Sequence, residues 1–293
     1  MNQVLRDTFK RGSKTYFTSS LFFPEKARED VYKLYGFVRV ADDFVDQVPP
    51  DKEGFKNFIE LYREAMREGS CGDIIVDSFV ELSRRLEFDP AWTEAFLDSM
   101  NMDLHKSAYE TMEEMLHYIY GSAEVIGLFM ARIMNLSVDA YPAAQMQGRA
   151  MQLINFIRDI QEDLYLGRRY LPLKDVNPNL LQEENARSNP QEFHAFINKM
   201  LDYYFQWQGE AEKGYVYIPN RFLIPIKTAS DMYNWTARVI QREPFVVYTR
   251  KVKPSKGKII LAVIYNSLAV GLRRKAPYVK VFNGTKAQNQ KRA

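Results

Sequence analysis

Apolar residues recur every three or four positions along most of the chain, and no segment shows the period-two alternation of a half-buried strand. Helix-starting and helix-stopping residues divide this pattern: Pro49 follows one long segment, Asp89 precedes a proline, and Thr111 with Glu114 fits a capping box. We predict an all-α chain with helices over Glu25–Val48, from Asp51, from Pro90, Thr111 to about Asn135, Pro142–Gly167, Asn189 to about Lys213, Asn220–Arg242 and Lys256–Leu272.

The predicted connections are short, and no repeat, low-complexity tract or flexible linker interrupts them. Loops are expected at 49–52, 168–189 and 243–255. We therefore predict one helical domain over residues 1–282 and a polar tail over residues 283–293 that is disordered.

The first long helix carries a polar stripe next to a core face. At about 100° per residue, Tyr35, Arg39, Asp42 and Asp46 fall within a sector of about 60°. Two carboxylates spaced four residues apart repel each other unless a cation lies between them. Such a pair also occurs by chance on solvated helix faces, so it is weak evidence when taken alone.

A second polar stripe strengthens the interpretation that these carboxylates hold a cation. Gln152, Asn155, Asp159 and Asp163 fall within a sector of about 80°, on a helix whose other positions are largely apolar. Neither helix has a solvated face of ordinary composition. We therefore expect both stripes to line one polar cavity.

Carboxylate and amide oxygens in such number favour a hard cation, and Mg²⁺ that bridges carboxylates to a phosphate is the usual arrangement. A diphosphate would then need cationic and hydrogen-bonding groups on its other side. The candidates on or near the stripes are Ser13, Lys14, Arg39, Arg158 and Arg250. Metal and cationic side chains at a diphosphate favour ionisation of its carbon–oxygen bond.

The composition of the chain bears on its binding partners, on disulfide or zinc sites and on its cellular compartment. The net charge of +3 over 293 residues implies neither nucleic acid nor membrane as a partner, although the last fifty residues are more basic than the rest. The single cysteine, Cys71, cannot form an intrachain disulfide, and three scattered histidines have no zinc-ligand spacing. The N-terminus lacks the apolar core of a secretory signal, so a cytoplasmic protein is expected.

The longest apolar run near the end of the chain, 259–272, has basic residues on both sides and is shorter than the roughly 20 residues that a membrane span needs. A buried C-terminal helix is the favoured interpretation. A membrane-surface contact is the alternative.

Four segments resemble the squalene and phytoene synthase family, in order and at fitting separations. They are SKTYFTSSLFFP at 13–24, YGFVRVADDFVD at 35–46, YIYGSAEVIG at 118–127 and QLINFIRDIQEDLYLGRRYLP at 152–172. The last segment is highly specific, and its ending is more similar to the phytoene synthase branch than to eukaryotic squalene synthases. The resemblance covers about residues 13–250 and implies a single-domain isoprenoid-synthase helical bundle around a central cavity.

The resemblance also implies roles for individual residues. The metal-binding positions are Asp42, Asp46, Asn155, Asp159 and Asp163, and the four aspartates are also the catalytic positions. The diphosphate-binding positions are Ser13, Lys14, Arg39, Gln152, Arg158, Tyr233 and Arg250, and the prenyl pocket includes Tyr35, Tyr118 and Gly127. One departure is Glu124, where many relatives have a small residue. It could narrow the cavity, join the metal site or point outward, and the sequence leaves these options open.

The chemistry implied by the resemblance is head-to-head condensation of two prenyl diphosphates through a cyclopropylcarbinyl diphosphate to a linear hydrocarbon. Phytoene from two geranylgeranyl diphosphates is the favoured product, and squalene or dehydrosqualene from two farnesyl diphosphates is the alternative. The expected cofactor is Mg²⁺, with Mn²⁺ as a substitute. NADPH is not expected because no GxGxxG follows a strand, but the family's squalene synthases use NADPH without that motif, so reduction of the product stays open. A monomer is expected, with peripheral membrane contact for hydrocarbon release left open.

Three other hypotheses fit the composition less well. A non-catalytic helical assembly protein would be expected to have lost the acids that are present here. Terpene cyclases and head-to-tail prenyltransferases share diphosphate ionisation, but their sequences resemble this chain less in the region RDIQED at 158–163. A nucleic-acid-binding module would rest only on the C-terminal lysines, which are typical of solvated surface.

Overall fold

The computed structural model describes residues 3–12 and 20–271. Its helices are α1 Gln3–Gly12, α2 Glu25–Asp46, α3 Lys52–Glu68, α4 Ile74–Leu86, α5 Pro90–Asp103, α6 Met112–Ile119, α7 Val125–Ile133, α8 Tyr141–Arg158, α9 Ile160–Tyr165, α10 Glu183–Ser188, α11 Pro190–Lys213, α12 Asn220–Arg242, α13 Val246–Thr249 and α14 Lys256–Gly271. The described residues contain no strand. One isolated β-bridge pairs Ala108 with Arg169, which both lie between helices. The predicted all-α class is confirmed.

The predicted helix starts agree with the observed caps. The Asp51 side chain accepts a hydrogen bond from the Gly54 N–H. Asp89 directly precedes Pro90, the first residue of α5, and its side chain accepts a hydrogen bond from the Ala91 N–H. Thr111 accepts the N–H of Glu114, as in a capping box. The Glu114 carboxylate, however, accepts the N–H of Glu110, one residue earlier than that motif requires.

Two predicted long helices are divided. The helix predicted over Pro142–Gly167 bends at Asp159, whose φ of −102° and ψ of 16° separate α8 from α9. The backbone hydrogen bonds on either side of this residue continue, so the helical hydrogen-bond pattern persists across the bend. The helix predicted from Thr111 contains a π turn at Tyr120–Glu124, between α6 and α7.

Other differences lie in the connections. The predicted loops 168–189 and 243–255 contain the short helices α10 and α13, and neither α1 nor α4 is in the predicted set. A start signal for α4 was available, since Asp73 caps it by accepting the N–H groups of Ile75 and Val76. The predicted disordered tail lies outside the described residues.

The favoured interpretation of the C-terminal helix, burial, is correct for only one face of α14. Its buried residues Ile259, Val263, Asn266 and Val270 lie on the side that packs against α12. The opposite side carries large apolar side chains that are exposed. None of the described helices combines the length and the apolar composition needed to cross a membrane.

Helix α8 packs against α11, α7 and the π turn, and it also contacts α12. Glycines allow the closest of these contacts. A Cβ atom at Gly148 would lie 2.2 Å from the Ala123 carbonyl oxygen, and one at Gly127 would lie 2.1 Å from that of Ala144. Because the helices touch backbone to backbone here, the space they enclose is set by a few small residues.

Candidate active site

A cavity of about 430 Å³ lies between these helices, and most of its wall is apolar. Its volume is within the usual range for small-molecule sites. Polar groups from both acidic motifs enter its lining: Asp42 from α2, and Gln152 and Asn155 from α8. The remaining wall is built mainly from side chains such as Phe23, Leu34, Val38, Phe96, Met100, Ile126, Met130, Met134, Ala144, Met151, Ile218 and Ile226.

The first motif is held by arginines. Arg39 Nη1 donates to Asp42 Oδ2 at 2.9 Å, and the same guanidinium pairs with Asp43. One helical turn on, Asp46 Oδ1 accepts a hydrogen bond from Arg168 Nη1 at 2.6 Å. Asp46 lines a second, smaller cavity of about 260 Å³ and not the main one.

The second motif spans the bend between α8 and α9. Asp159 Oδ1 accepts from Arg158 Nε at 2.9 Å and lies 3.4 Å from Lys251 Nζ. Asp163 follows one turn later and, among the described residues, has no side-chain hydrogen-bond partner. Asn155 Oδ1 is buried and likewise lacks a partner within the described ranges. A buried amide oxygen without a donor is unfavourable, so this atom is available to a ligand.

The pKa values of two aspartates connect the motifs. Removal from solvent and the negative charge of Asp46 raise the pKa of Asp42 to about 7. Removal from solvent, followed by the charges of Asp159, Glu162 and Asp46, raises the pKa of Asp163 to about 8. Asp46 on α2 therefore interacts with acids of both motifs. The two stripes approach each other here, but the predicted shared polar cavity is mostly apolar, and Asp46, Asp159 and Asp163 are not part of its lining.

A buried polar network lies behind Asp46. Tyr118 and Tyr170 donate to the two carboxylate oxygens of Asp103 at 2.6 and 2.9 Å, and burial raises the pKa of both phenols well above the usual value. Arg168 contacts the Tyr170 hydroxyl at 3.5 Å and also donates to the Val45 carbonyl. The guanidinium that holds Asp46 is therefore itself held in place.

Sequence reasoning did not identify Arg168 or Asp103 as site residues. Arg168 stands in the RRYLP segment directly after the second motif, so a signal for it existed. Asp103 lies in no recognisable motif. The packing of α5 against α6 brings it to Tyr118, and the segment that follows α9 brings Tyr170 to it.

Two lysines that follow Arg250 in the sequence lie near the second motif. Lys251 pairs with Glu162 as well as approaching Asp159, and burial together with Lys251 and Arg158 lowers the pKa of Lys253. Arg250 is exposed, and within the described ranges it forms no ion pair. The signal was the KVK sequence that directly follows Arg250.

The remaining predicted residues divide as follows. Tyr35, Tyr118, Gly127 and Gln152 line the cavity. Tyr35 stacks on Phe9 at a ring distance of 3.8 Å, and Tyr233 is buried close enough to contribute to its raised pKa of about 12, which has burial as its main cause. Ser13 and Lys14 lie outside the described residues.

Glu124 is buried and neither points outward nor joins the aspartates. Its Oε1 accepts a hydrogen bond from Arg149 Nε at 2.6 Å, and the Arg149 guanidinium lies 5.4 Å from the Trp207 ring centre. Gln145 approaches its other oxygen at 3.4 Å. Glu124 therefore belongs to an ion pair between the π turn and α8.

The donor set fits a magnesium ion bound together with a diphosphate. Within residues 3–12 and 20–271, no three acidic, cysteine or histidine side chains form a closed ligand cluster. Mg²⁺ in phosphate-transfer sites usually takes one or two carboxylates and completes its shell with water and phosphate oxygens. The partnerless Asn155 Oδ1, and Asp42 and Asp163, each of which is repelled by the charge of Asp46, are oxygen donors that such an ion would satisfy.

The fold matches solved isoprenoid synthases. A dehydrosqualene synthase in complex with a ligand superposes with a TM-score of 0.81 at 18% identity, covering 92% of this chain and 95% of the other. Squalene synthase HpnC from Alicyclobacillus acidocaldarius has a TM-score of 0.75 at 20% identity, covering 83% of this chain and 94% of the other. An all-α fold around an apolar cavity with two aspartate motifs defines a protein of the isoprenoid synthase class.

Within that class, the chain belongs to the squalene/phytoene synthase family, whose sequence profile matches residues 9–258. The 15-cis-phytoene synthase of Enterobacter agglomerans is 30% identical over 284 residues, which are 91% of this chain and 96% of the relative. The 15-cis-phytoene synthase of Pantoea ananas is 26% identical over 288 residues, 92% and 93% of the two chains. The protein is therefore a prenyltransferase of the family that condenses prenyl diphosphates head to head.

Proposed function

We propose that this protein condenses two geranylgeranyl diphosphates to phytoene in the presence of Mg²⁺. The observation that supports the reaction is the cavity, which is apolar along its wall and carries Asp42, Gln152 and Asn155. The product assignment is supported by the phytoene synthases that align with nearly the whole chain. One chain supplies both motifs and the cavity wall, so we also propose that it acts as a monomer.

In this proposal the aspartates and Asn155 hold the metal against the substrate diphosphate. The bound ion would neutralise the charge that builds up on the leaving diphosphate. Arg39, Arg158 and Lys251 already lie against these carboxylates and would turn toward the phosphate oxygens. Ionisation of the allylic carbon–oxygen bond is favoured where such positive groups surround the departing oxygen.

The wall then governs the fate of the carbocation. Apolar side chains exclude water, which would otherwise capture the cation as an alcohol. The aromatic rings of Tyr35 and Tyr118 line the same space, where an electron-rich ring face would stabilise a cation. The double bond of the second substrate attacks the cation, and loss of a proton closes the cyclopropane ring. A second ionisation and rearrangement, followed by proton loss, complete the hydrocarbon.

The test is to incubate the purified protein and Mg²⁺ with geranylgeranyl or farnesyl diphosphate, with and without NADPH, and to identify the hydrocarbon by mass spectrometry. We expect phytoene from geranylgeranyl diphosphate regardless of NADPH. A thirty-carbon product formed faster from farnesyl diphosphate would contradict the product assignment. Absence of any hydrocarbon would contradict the reaction itself.

The same assay tests the motifs. Asp42→Ala and Asp159→Ala should each lower turnover by about 1,000-fold or more, because the metal loses a ligand whose charge it needs. Asp43→Ala is the matched control, since Asp43 also pairs with Arg39 but lies outside the cavity lining. Helical circular dichroism should be unchanged in all three. Near-normal turnover of Asp42→Ala at saturating Mg²⁺ would remove the metal-site assignment.

A further inference from the structure

Helix α14 exposes a row of large apolar side chains. Ile260, Leu261, Ile264, Tyr265 and Leu268 are between 51% and 68% exposed. Their spacing confines them to a sector of about 140° on the helix. This sector lies opposite the side formed by the buried residues Ile259, Val263 and Val270. The row is continuous, and no polar side chain breaks it within that sector.

A helix that is apolar on all sides is usually buried on all sides. No charged residue occurs between Lys258 and Arg273, yet the described part of the chain covers only one face of α14. A contiguous apolar surface of this kind marks a contact with another apolar phase or partner.

The charge of the surrounding segment identifies that partner. Residues 244–293 contain 12 lysines and arginines and no acidic residue, although the whole chain has a net charge of only +3. A second copy docked symmetrically through the same face would bring two such basic segments together. An anionic lipid surface attracts the basic residues and also accepts the apolar row below its headgroups.

The same helix lies next to the substrate cavity. Val270 of α14 packs with Tyr215 and Leu223 in a small apolar cluster, and Ile218 and Ile226 pack against that cluster. Tyr215, Ile218 and Ile226 also line the cavity. One layer of side chains therefore separates the end of α14 from the space in which a prenyl chain would lie.

We propose that the exposed face of α14 docks on an anionic lipid bilayer through Ile260, Leu261, Ile264, Tyr265 and Leu268. Lys256 is exposed at the start of the helix, beside this face, and its long side chain would reach the lipid headgroups. Docking brings the cavity wall at Ile218 and Ile226 close to the membrane, where long-chain diphosphates reside and a water-insoluble hydrocarbon can dissolve. The docking surface goes beyond the proposed function and does not depend on which hydrocarbon is made.

The experiment is a flotation assay with the full chain and vesicles of phosphatidylglycerol and phosphatidylcholine, compared with vesicles of phosphatidylcholine alone. The wild type should float with the anionic vesicles and much less with the neutral ones. The double variant Leu261→Gln/Leu268→Gln should bind the anionic vesicles about tenfold more weakly, because two large apolar groups are lost from the contact. The control variant Ile74→Gln/Val138→Gln, at apolar positions that are also exposed but lie outside α14, should bind like the wild type.

Three further measurements on the same proteins test whether something other than lipid covers this face. Thermal unfolding tests for another part of this chain, sedimentation velocity for a second copy, and a duplex-DNA binding assay for nucleic acid. Unchanged vesicle binding by the α14 variant would overturn the proposal. Equal flotation of the wild type with both vesicle types would overturn the proposed requirement for anionic lipid. Loss of a dimer would instead assign the face to a second copy, and a lower melting temperature without a change in flotation would assign it to another part of this chain. Loss of DNA binding without vesicle binding would assign the surface to nucleic acid.

Discussion

The carboxyl groups of Asp42 and Asp163 have pKa values of about 7 and about 8, so near neutrality each carries a proton part of the time. In both cases removal from solvent is the main cause, and like charges from neighbouring aspartates add to it. A divalent cation reverses this balance, because it stabilises the ionised carboxylates and displaces their protons. At the residue scale, therefore, metal binding and proton release are linked.

This linkage predicts that the Mg²⁺ concentration for half-maximal rate falls as the pH rises. Between about pH 6.5 and about pH 8.5 we expect a decrease of at least tenfold, since the protons that oppose metal binding are lost over this range. Steady-state rates at varied Mg²⁺ measure it. Asp163→Asn removes one of the two protons and should make the dependence shallower. A requirement independent of pH in the wild type would contradict the linkage.

The raised pKa values of the two aspartates also make the folding stability of the metal-free protein depend on pH. The native state keeps protons on Asp42 and Asp163 that the unfolded state releases near pH 4, where an aspartate usually titrates. These two groups therefore make the metal-free protein less stable as the pH rises from about 4 to about 8. Mg²⁺ with a diphosphate ligand should offset that loss.

At the scale of helices, the cavity depends on close crossings at glycine. Gly148 on α8 faces the backbone of Ala123 in the π turn, and Gly127 on α7 faces the backbone of Ala144. Backbone atoms cannot turn aside as the end of a flexible side chain can, so an added methyl group must separate the helices. The same crossings hold Glu124 and Arg149 together across the π turn and α8.

Gly148→Ala should therefore destabilise the protein by about 1–3 kcal/mol, through overpacking. Urea unfolding measures the change. Gly209→Ala is the matched control, because Gly209 lies inside α11 and a Cβ atom there meets nothing within 4 Å. That substitution should be neutral or stabilise by up to about 1 kcal/mol, since alanine is the better helix former. Equal unfolding free energies for the two variants would show that α8 does not pack as described.

At the scale of the whole molecule, the cavity runs along α8 and sets the length of chain that can be accommodated. Ala144 and Asn155 both line it and are eleven residues apart on that helix, which corresponds to about 16 Å. The wall at the Ala144 end includes the small residues Ala140, Ala143 and Gly214. Side-chain size there controls how deep the cavity extends.

Ala144→Phe should shorten the cavity and discriminate against the longer substrate. We expect kcat/KM for geranylgeranyl diphosphate to fall about tenfold more than kcat/KM for farnesyl diphosphate, as is usual when an apolar pocket loses room for a few methylene groups. The comparison of the two substrates within one variant cancels any general loss of stability. Ala91→Phe, at an exposed alanine at the start of α5, should leave the ratio unchanged.

The sequence by itself determined the all-α class, most helix starts, the two aspartate stripes and the family, because helical periodicity, capping and motif spacing are local properties of the chain. The domain limits and the site roles stay predictions. Tertiary structure alone decided that Asp46 lies near enough to Asp163 to raise its pKa, that Arg168 contacts Tyr170, and that Glu124 is neutralised by Arg149. It also left half of α14 uncovered, where the apolar run favoured burial. These features join residues far apart in the chain, and their contacts depend on how helices cross, which no local pattern specifies.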